Sequence, residues 1–175
     1  MNSMKLLMHM CCAPCSVYPL EVLREAGFET EGFFYNPNIH PSEEHRRRMD
    51  NVRKLSEIEG LKVHYSDEFI QELWESHVGP EASRCEMCYG MRLEKAAAFA
   101  AENGFDKFTT SLLVSPYQKH EFIRELGEKY AEKHGIEFFY MDFRSGFRQG
   151  QQKAKEMGLY RQKYCGCIKS LRPVY

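Results

Sequence analysis

The sequence predicts an α/β protein built around a parallel sheet. Short apolar or aromatic runs alternate with amphipathic segments in the first third of the chain, in the order strand, helix, strand, helix, strand. This order favours parallel strands joined by right-handed crossovers. The 175 residues, of which 43% are hydrophobic and 28% charged, suit one globular unit, so we predict a single domain over residues 1–175.

The first half of the chain alternates regularly between strands and helices. Its predicted elements are a strand at 5–8, a helix at 17–26, a strand at 32–35, a helix at 42–60 and a strand at 61–65. Ser16 is the expected N-cap of the first helix, and Gly27 is its expected terminator. Glu43 and Glu44 open the second helix, where acidic side chains interact favourably with the helix dipole.

The second half inserts helical and cysteine-bearing segments between the strands. Its predicted elements are helices at 69–77 and 91–102, a strand at 108–113, a helix at 121–134, a strand at 137–141 and a short helix at 149–157. The tail at 160–167 is polar, aromatic and basic. Because no internal repeat or linker interrupts the chain, we expect all strands to form one sheet.

The bulk charge and the cysteine content restrict the functional class. A net charge of -1 does not suit a protein that coats nucleic acid over its whole surface. No apolar run approaches the roughly 20 residues that span a bilayer, and we expect a cytoplasmic protein without membrane contact. In a reducing compartment, seven clustered cysteines indicate metal binding or redox chemistry more often than structural disulfides.

The segment that follows the first strand carries three thiols. In open α/β sheets, ligands bind at the loop that leaves the carboxyl end of a strand. Here that loop contains Cys11, Cys12 and Cys15 in place of the glycines that approach a phosphate. We therefore predict that it forms half of a metal site. His9, at the end of the strand, is expected to be a hydrogen-bonded core histidine rather than a ligand.

A second pair of thiols completes the predicted site. Cys85 and Cys88 are three residues apart at the approach to a helix, so their sulfurs can reach one metal or cluster. Cys11 and Cys12 are adjacent, with Cα atoms about 3.8 Å apart, and this adjacency favours a cluster over a lone structural zinc. Together these are the four thiolates of a [4Fe–4S] cluster. Cys15 is a further ligand, a low-pKa thiol at a helix start, or a packed thiol.

Cys165 and Cys167 form a different kind of pair. A disulfide between residues spaced by one position needs a sharp bend, which Gly166 permits. The resulting small ring is strained and easily reduced, so it suits a two-electron exchange site. The alternative is that this pair supplies further metal ligands.

Two basic segments leave a choice between a solvated surface and a nucleic-acid contact. Arg46, Arg47 and Arg48 follow one another on a predicted helix, where such a run is usually solvated. The alternative is that they contact a phosphate backbone together with the basic residues of the tail. Those residues are Arg161, Lys163, Lys169 and Arg172.

Five ordered motifs resemble the QueH family of epoxyqueuosine reductases. They are Cys-Cys-Ala-Pro-Cys-Ser at 11–16, Tyr-Asn-Pro-Asn-Ile-His-Pro at 35–41, Arg-Cys-x-x-Cys-Tyr at 84–89, Thr-Thr-Ser-Leu-Leu-x-Ser-Pro-Tyr at 109–117 and Tyr-Cys-Gly-Cys at 164–167. The resemblance implies an iron–sulfur enzyme that removes the epoxide oxygen of epoxyqueuosine in tRNA. It also implies a Rossmann-like sheet akin to the adenine-nucleotide α-hydrolase group, although that group's glycine-rich pyrophosphate loop is absent here.

The resemblance leads to a hypothesis for each candidate residue. Cys11, Cys12, Cys85 and Cys88 would hold the [4Fe–4S] cluster, and the hypothesis allows an additional iron next to it. Cys165 and Cys167 would recharge the site with electrons from a donor of unknown identity. The proton would come from Tyr117, Tyr164 or Asp142. The competing hypotheses are an ATP-dependent tRNA-thiolating enzyme and a zinc-stabilised RNA-binding module.

Overall fold

The computed structural model describes residues 2–171, so Arg172 of the candidate basic patch lies outside the described residues. It contains one parallel five-stranded sheet with helices packed against it. The strands are β1 (Lys5–His9), β2 (Glu29–Phe34), β3 (Val63–Tyr65), β4 (Lys107–Thr110) and β5 (Glu137–Phe138). The helices are α1 (Ala13–Glu25), α2 (Ser42–Glu59), α3 (Glu72–Glu75), α4 (Glu81–Glu102), α5 (His120–His134) and α6 (Phe147–Glu156). Short 3-10 turns occur at Ser111–Val114, Arg144–Gly146 and Ile168–Ser170.

The strand order β3-β2-β1-β4-β5 creates a crevice at the centre of the sheet. β1 pairs in parallel with β2, from Lys5 opposite Glu29 to His9 opposite Phe33, and on its other side with β4. The chain therefore adds β2 and β3 on one side of β1 and then adds β4 and β5 on the other side. In such sheets the carboxyl ends of the two strands at the reversal bound the ligand crevice. The thiol loop lies at this position.

The core supports this crevice from both sides of the central strand. Leu6, Leu7 and Met8 of β1 are fully buried, as expected for a parallel strand covered on both faces. α4 packs against β1, β4 and α5, whereas α1 packs against α6 and β2. His9 is also fully buried, and both of its ring nitrogens have partners, which are Thr110 Oγ1 and the Tyr35 carbonyl, each at 3.0 Å. The prediction of a satisfied core histidine is confirmed.

The first helix begins earlier than predicted, and its cap is a cysteine. α1 starts at Ala13, and the N-cap is Cys12, whose Sγ accepts a hydrogen bond from the Cys15 N–H at 3.4 Å. The prediction of Ser16 as N-cap is wrong, because Pro14 is already suited to the first helical turn. Ser16 Oγ instead donates to the Cys12 carbonyl. Gly27 follows the C-cap with a φ of 87°, so the predicted terminator is confirmed.

Other element boundaries also differ from the predictions. The strand predicted at 108–113 ends at Thr110, because the Thr110 hydroxyl accepts from the Leu112 N–H and the chain turns into a 3-10 helix. The cysteine-bearing helix starts at Glu81, so Cys85 and Cys88 lie within α4 rather than before it. The strand predicted at 137–141 is confined to Glu137–Phe138. Among residues 2–171, no helix is long and apolar enough to cross a bilayer.

Candidate metal site and active-site cavity

The thiols of Cys11, Cys12 and Cys15 converge at the carboxyl end of β1. Their Sγ atoms all lie within 4.8 Å of one another, and the Cys11 and Cys12 sulfurs are 3.9 Å apart. The tight turn from β1 into α1 brings them together, since Cys15 lies one helical turn after the N-cap Cys12. Among the described residues, this is the one group of three such ligand atoms at that spacing. Three soft sulfur donors this close can bind a metal ion.

Two polar side chains from distant parts of the chain hold this three-thiol group. Ser111 Oγ accepts from the Cys11 backbone N–H at 3.0 Å and donates to Cys11 Sγ at 3.1 Å. Gln162 Nε2 donates to Cys12 Sγ at 2.8 Å. The Gln162 amide oxygen is buried without a partner among the described residues. The thiols are thus fixed by donors that orient their lone pairs.

The three thiols do not share one protonation behaviour. Hydrogen bonds from the thiols of Cys12 and Cys15 hold the pKa of Cys11 well below its usual range. Burial raises the pKa of Cys12, and the hydrogen bonds with Cys11 and Cys12 raise the pKa of Cys15. Cys11 is therefore the member of the three-thiol group that loses its proton most readily.

The remaining four cysteines line a second, smaller cavity of about 50 Å³. Cys85 and Cys88 reach it from α4, and Cys165 and Cys167 reach it from the tail. Burial raises the pKa of both Cys85 and Cys88. Trp74 lines the cavity, and its N–H opposes the effect of burial on the pKa of Cys88, although the buried Nε1 has no well-formed hydrogen bond among the described residues. An orphaned N–H donor beside thiols fits a sulfide or thiolate acceptor, which is the type of contact that iron–sulfur clusters receive.

Arg92 connects the two groups of thiols. Its side chain is buried, its Nη2 donates to Cys88 Sγ at 3.3 Å, and its Nε donates to the Cys88 carbonyl at 3.2 Å. Arg92 lines both the small cavity and a larger one of about 350 Å³ that contains Cys11 and Cys15. It has no ion pair with a carboxylate of residues 2–171. The positive charge therefore faces the sulfurs.

Several of the other predicted site residues line the larger cavity. Besides Cys11 and Cys15, Tyr117, Tyr164 and Cys165 line it. The two cavities adjoin, because Gln118, Arg92 and Cys165 line both. Cys85 and Cys88 do not belong to the three-thiol group, so a ligand set of Cys11, Cys12, Cys85 and Cys88 remains a prediction.

The tail that carries Cys165 and Cys167 is anchored to α2. The buried guanidinium of Arg48 donates to the carbonyls of Tyr164 and Cys165 at 2.9 and 3.0 Å. The His40 N–H donates to the Gly166 carbonyl at 2.8 Å. Cys165 is exposed to solvent, whereas Cys167 is buried against Trp74. Cys165 thus faces the solvent and both cavities, whereas the buried Cys167 reaches only the smaller cavity.

The sequence as a whole matches one protein family. A family model described as epoxyqueuosine reductase QueH covers residues 6–173. This chain belongs to the QueH family. The epoxyqueuosine reductase QueH of Dehalococcoides mccartyi is 38% identical over 95% of this chain and 92% of its own length. The enzyme of the same name from Thermotoga maritima is 38% identical over 94% of this chain and 89% of its own length.

Solved structures confirm the fold of this QueH-family chain. The U34-tRNA thiolase NcsA from Methanococcus maripaludis, solved with its [4Fe-4S] cluster, superposes with a TM-score of 0.63. The match covers 98% of this chain and 63% of that protein at 14% identity. A predicted tRNA methyltransferase subunit from Methanocaldococcus jannaschii gives 0.56 at 12% identity, over 87% of this chain and 75% of that one. The predicted Rossmann-like α/β class is confirmed.

The three predicted proton sources differ in their surroundings. The Tyr164 hydroxyl donates to the His40 carbonyl, and burial raises the pKa of Tyr164. Tyr117 is 84% exposed at the mouth of the larger cavity. Asp142 forms an ion pair with Arg144 whose hydrogen bonds lower the pKa of Asp142 to about 2. Asp142 is therefore ionised at neutral pH, and its predicted role as a proton donor is wrong.

Several residues of the site escaped the sequence prediction. Ser111 directly follows β4, the strand next to β1, so its place at the same sheet edge could have been inferred. Arg92 lies one helical turn after Cys88, so its place on the same face of the helix could also have been inferred. Gln162 reaches Cys12 from 150 residues away, and no local pattern signals that contact.

Proposed function

We propose that this chain reduces the epoxide of epoxyqueuosine in tRNA to give queuosine. The single observation that supports this most strongly is the three-thiol group, which stands at the ligand crevice of the sheet and opens into a cavity of about 350 Å³. This volume lies in the range of about 300–1,000 Å³ that is typical of small-molecule sites. Membership in a family named for this reduction supplies the substrate.

The reaction sets the chemistry that the site must supply. Conversion of an epoxide to an alkene consumes two electrons and two protons, and the oxygen leaves as water. An iron–sulfur cluster would supply single electrons, and an additional iron would act as a Lewis acid toward the epoxide oxygen. The protein has to hold the substrate, exclude water from it and deliver the protons.

Under this proposal, Cys11, Cys12, Cys85 and Cys88 hold the [4Fe–4S] cluster, and Cys15 is a ligand of the additional iron. Three features support it: the small distances within the three-thiol group, the orphaned N–H of Trp74 beside Cys88, and the shared boundary of the two cavities. The charge of Arg92 would offset part of the negative charge of the bound thiolates.

Cys165 and Cys167 would form the exchange pair. On oxidation to a disulfide, the two thiols release two electrons and two protons, and an external reductant of unknown identity returns them. The exposure of Cys165 gives that reductant access, and its place on both cavities gives a route toward the cluster site. Seven free thiols suit the reducing cytoplasm, where we place the protein.

Two tyrosines, Tyr117 and Tyr164, line the larger cavity and are the candidate proton donors. Tyr164 is the better candidate, because it is partly buried in the cavity wall whereas Tyr117 is exposed. The Tyr164 hydroxyl now donates to the His40 carbonyl, so a small rotation would present the proton to a substrate. The exposure of Tyr117 favours a role in contacting the substrate at the mouth of the cavity.

Anaerobic reconstitution with iron and sulfide, followed by an assay on tRNA that carries epoxyqueuosine, tests this function. We expect a brown protein that forms queuosine. The Cys85→Ala variant should lose the iron absorbance. The Cys165→Ala variant should keep that absorbance but should not complete more than one turnover. Equal loss of iron in both variants would contradict the proposal that Cys85 binds the cluster and Cys165 belongs to the exchange pair. A colourless protein with one zinc and no reductase activity would favour the RNA-binding module instead.

A further inference from the structure

The larger cavity opens into a groove on the protein surface, which we call the rim groove. Its volume is about 910 Å³, and its lining includes Arg47, Tyr117, Tyr160, Lys163, Tyr164 and Cys165 together with the acidic Glu43 and Glu44. Four of these, Tyr117, Lys163, Tyr164 and Cys165, also line the cavity. The groove therefore begins where the cavity ends.

Tyr117 presents an aromatic ring to solvent at this boundary. The ring is 84% exposed, and it has one aromatic neighbour, Phe147, whose ring lies at 82° with centroids 5.7 Å apart. The loop beneath it is ordered, because the Tyr117 N–H donates to Ser115 Oγ and the Tyr89 hydroxyl donates to Gln118 Oε1 at 2.6 Å. A rigid loop thus holds an open aromatic surface at the mouth of the cavity.

The opposite wall of the groove combines two fixed tyrosines with cations. The hydroxyl of Tyr160 donates to Glu44, and the guanidinium of Arg47 lies 5.0 Å from the centre of the Tyr160 ring. Lys163, between Tyr160 and Tyr164 in sequence, is exposed and has no ion pair with another described residue. Alternating aromatic rings and cations are the combination that binds single-stranded nucleic acid, because every base has a face to stack and every phosphate a charge.

We propose that the rim groove binds the unpaired nucleotides that flank the modified one, and that a neighbouring base stacks on Tyr117. This inference rests on the proposed function. A cavity of about 350 Å³ encloses one base with its substituent, so the adjoining nucleotides of an RNA substrate must lie over its rim. Lys163 is placed to contact their phosphates, and Arg47 can do so as well although it also pairs with Glu44 at 3.6 Å.

The proposal gives Tyr117 a task that needs its ring and not its hydroxyl. This contrasts with the predicted role as a proton donor, in which the hydroxyl is essential. The Tyr117→Phe variant keeps the ring and removes the hydroxyl, whereas Tyr117→Ala removes both. Because the side chain is exposed, neither substitution is expected to disturb folding, and thermal unfolding of each variant checks this.

The test measures binding of a fluorescein-labelled anticodon stem-loop RNA to the reconstituted full chain. We expect Tyr117→Ala to raise Kd by about 5- to 150-fold, the loss of one stacked base, and to raise KM for tRNA with it. Tyr117→Phe should bind as the wild type does. Lys163→Gln should weaken binding and reduce its salt dependence, whereas Lys129→Gln, at an exposed lysine of α5 that does not line the groove, should do neither.

The possible outcomes separate this inference from the proposed function. If the wild type binds the stem-loop and Tyr117→Ala binds it equally well, the rim groove inference is wrong and the reductase proposal stands. If Tyr117→Phe weakens RNA binding as much as Tyr117→Ala does, the hydroxyl and not the ring makes the contact, and the stacking role is overturned. If the wild type reduces tRNA-bound epoxyqueuosine but prefers a fully paired RNA duplex to the stem-loop, recognition of unpaired bases is excluded. If the wild type binds no RNA at all, both proposals fail.

Discussion

The Nη2 atom of Arg92 donates to the sulfur of Cys88 across 3.3 Å, in a site where the arginine has no carboxylate partner among residues 2–171. Burying a guanidinium without an opposite charge costs several kcal/mol in principle. The groups that can offset this cost are the thiols around it, and they can do so fully only as thiolates. Arg92 therefore favours the deprotonated, metal-binding form of the site.

Replacing Arg92 by methionine should separate metal binding from stability. Methionine fills a similar volume without charge, so the free energy of unfolding of the metal-free protein should change little or rise by about 1–4 kcal/mol. The iron content after reconstitution should fall, because the thiolates lose their cation. Iron analysis and urea unfolding measure the two effects. Arg53→Met, at an arginine with a half-exposed side chain, is the control, and an equal iron content in both variants would refute the role of Arg92.

Gly166, the glycine of the tail, should tolerate substitution poorly. Its φ of 121° lies in a region that only glycine adopts readily, and an added Cβ would lie 3.1 Å from Arg48 Nη1 and 3.2 Å from Ile39 Cγ1. We expect Gly166→Ala to lower the free energy of unfolding by about 1–3 kcal/mol and to speed alkylation of the buried Cys167.

Gly104→Ala provides the matched comparison for Gly166→Ala. Gly104 also has a positive φ, of 75°, but no atom lies within 4 Å of the added Cβ. Its cost should be confined to about 1–2 kcal/mol of backbone strain, and the reactivity of Cys167 should not change. Urea unfolding and timed alkylation with mass spectrometry compare the two variants. If both speed the alkylation equally, the local packing of Gly166 has no special role.

The anchoring of the tail should weaken in mild acid through His40. This fully buried ring accepts the Ile168 N–H at Nδ1 and contacts the Ile70 carbonyl through Nε2, and burial lowers the pKa of His40 below 6.5. As the pH falls through about 6.5, His40 is protonated in the unfolded chain but stays neutral in the folded chain. The stability that depends on neutral His40 is complete above that pH, falls as the pH drops below it, and levels off below the folded-state pKa.

Urea unfolding between about pH 7.5 and about pH 5.5 tests the role of His40. In His40→Asn, the side-chain oxygen can still accept the Ile168 N–H but takes up no proton, so stability should fall less steeply with acid than in the wild type. His9 and His45 are also buried with lowered pKa values, so part of the pH dependence should remain. Identical slopes for the variant and the wild type would show that His40 does not contribute.

The sheet and its thiol loop could be predicted because both depend on local patterns. A buried parallel strand such as β1 is a continuous apolar run, and the loop that follows it lies at the ligand edge of the sheet in any fold of this class. The start of α1 was missed because a thiol is not among the usual capping groups, yet Cys12 acts as the cap here.

The arrangement of the thiols could not be predicted, since it depends on contacts between distant segments. The seven cysteines fall into a group of three around Gln162 and a group of four around Trp74. Sequence spacing says which cysteines are near in the chain, but the packing of the tail against α2, through Arg48, decides which thiols share a cavity.

Trp74 should report the oxidation state of the tail cysteines. It is the single tryptophan of the chain, it is fully buried, and it packs against Cys88 and Cys167. Because a neighbouring disulfide quenches indole fluorescence, mild oxidation of the metal-free protein should reduce the emission, and dithiothreitol should restore it. The effect should be absent in Cys165→Ser, which cannot close the pair, and retained in Cys12→Ser, whose thiol lies in the other group. Quenching that survives in Cys165→Ser would place the oxidised bond elsewhere and remove the support for the exchange pair.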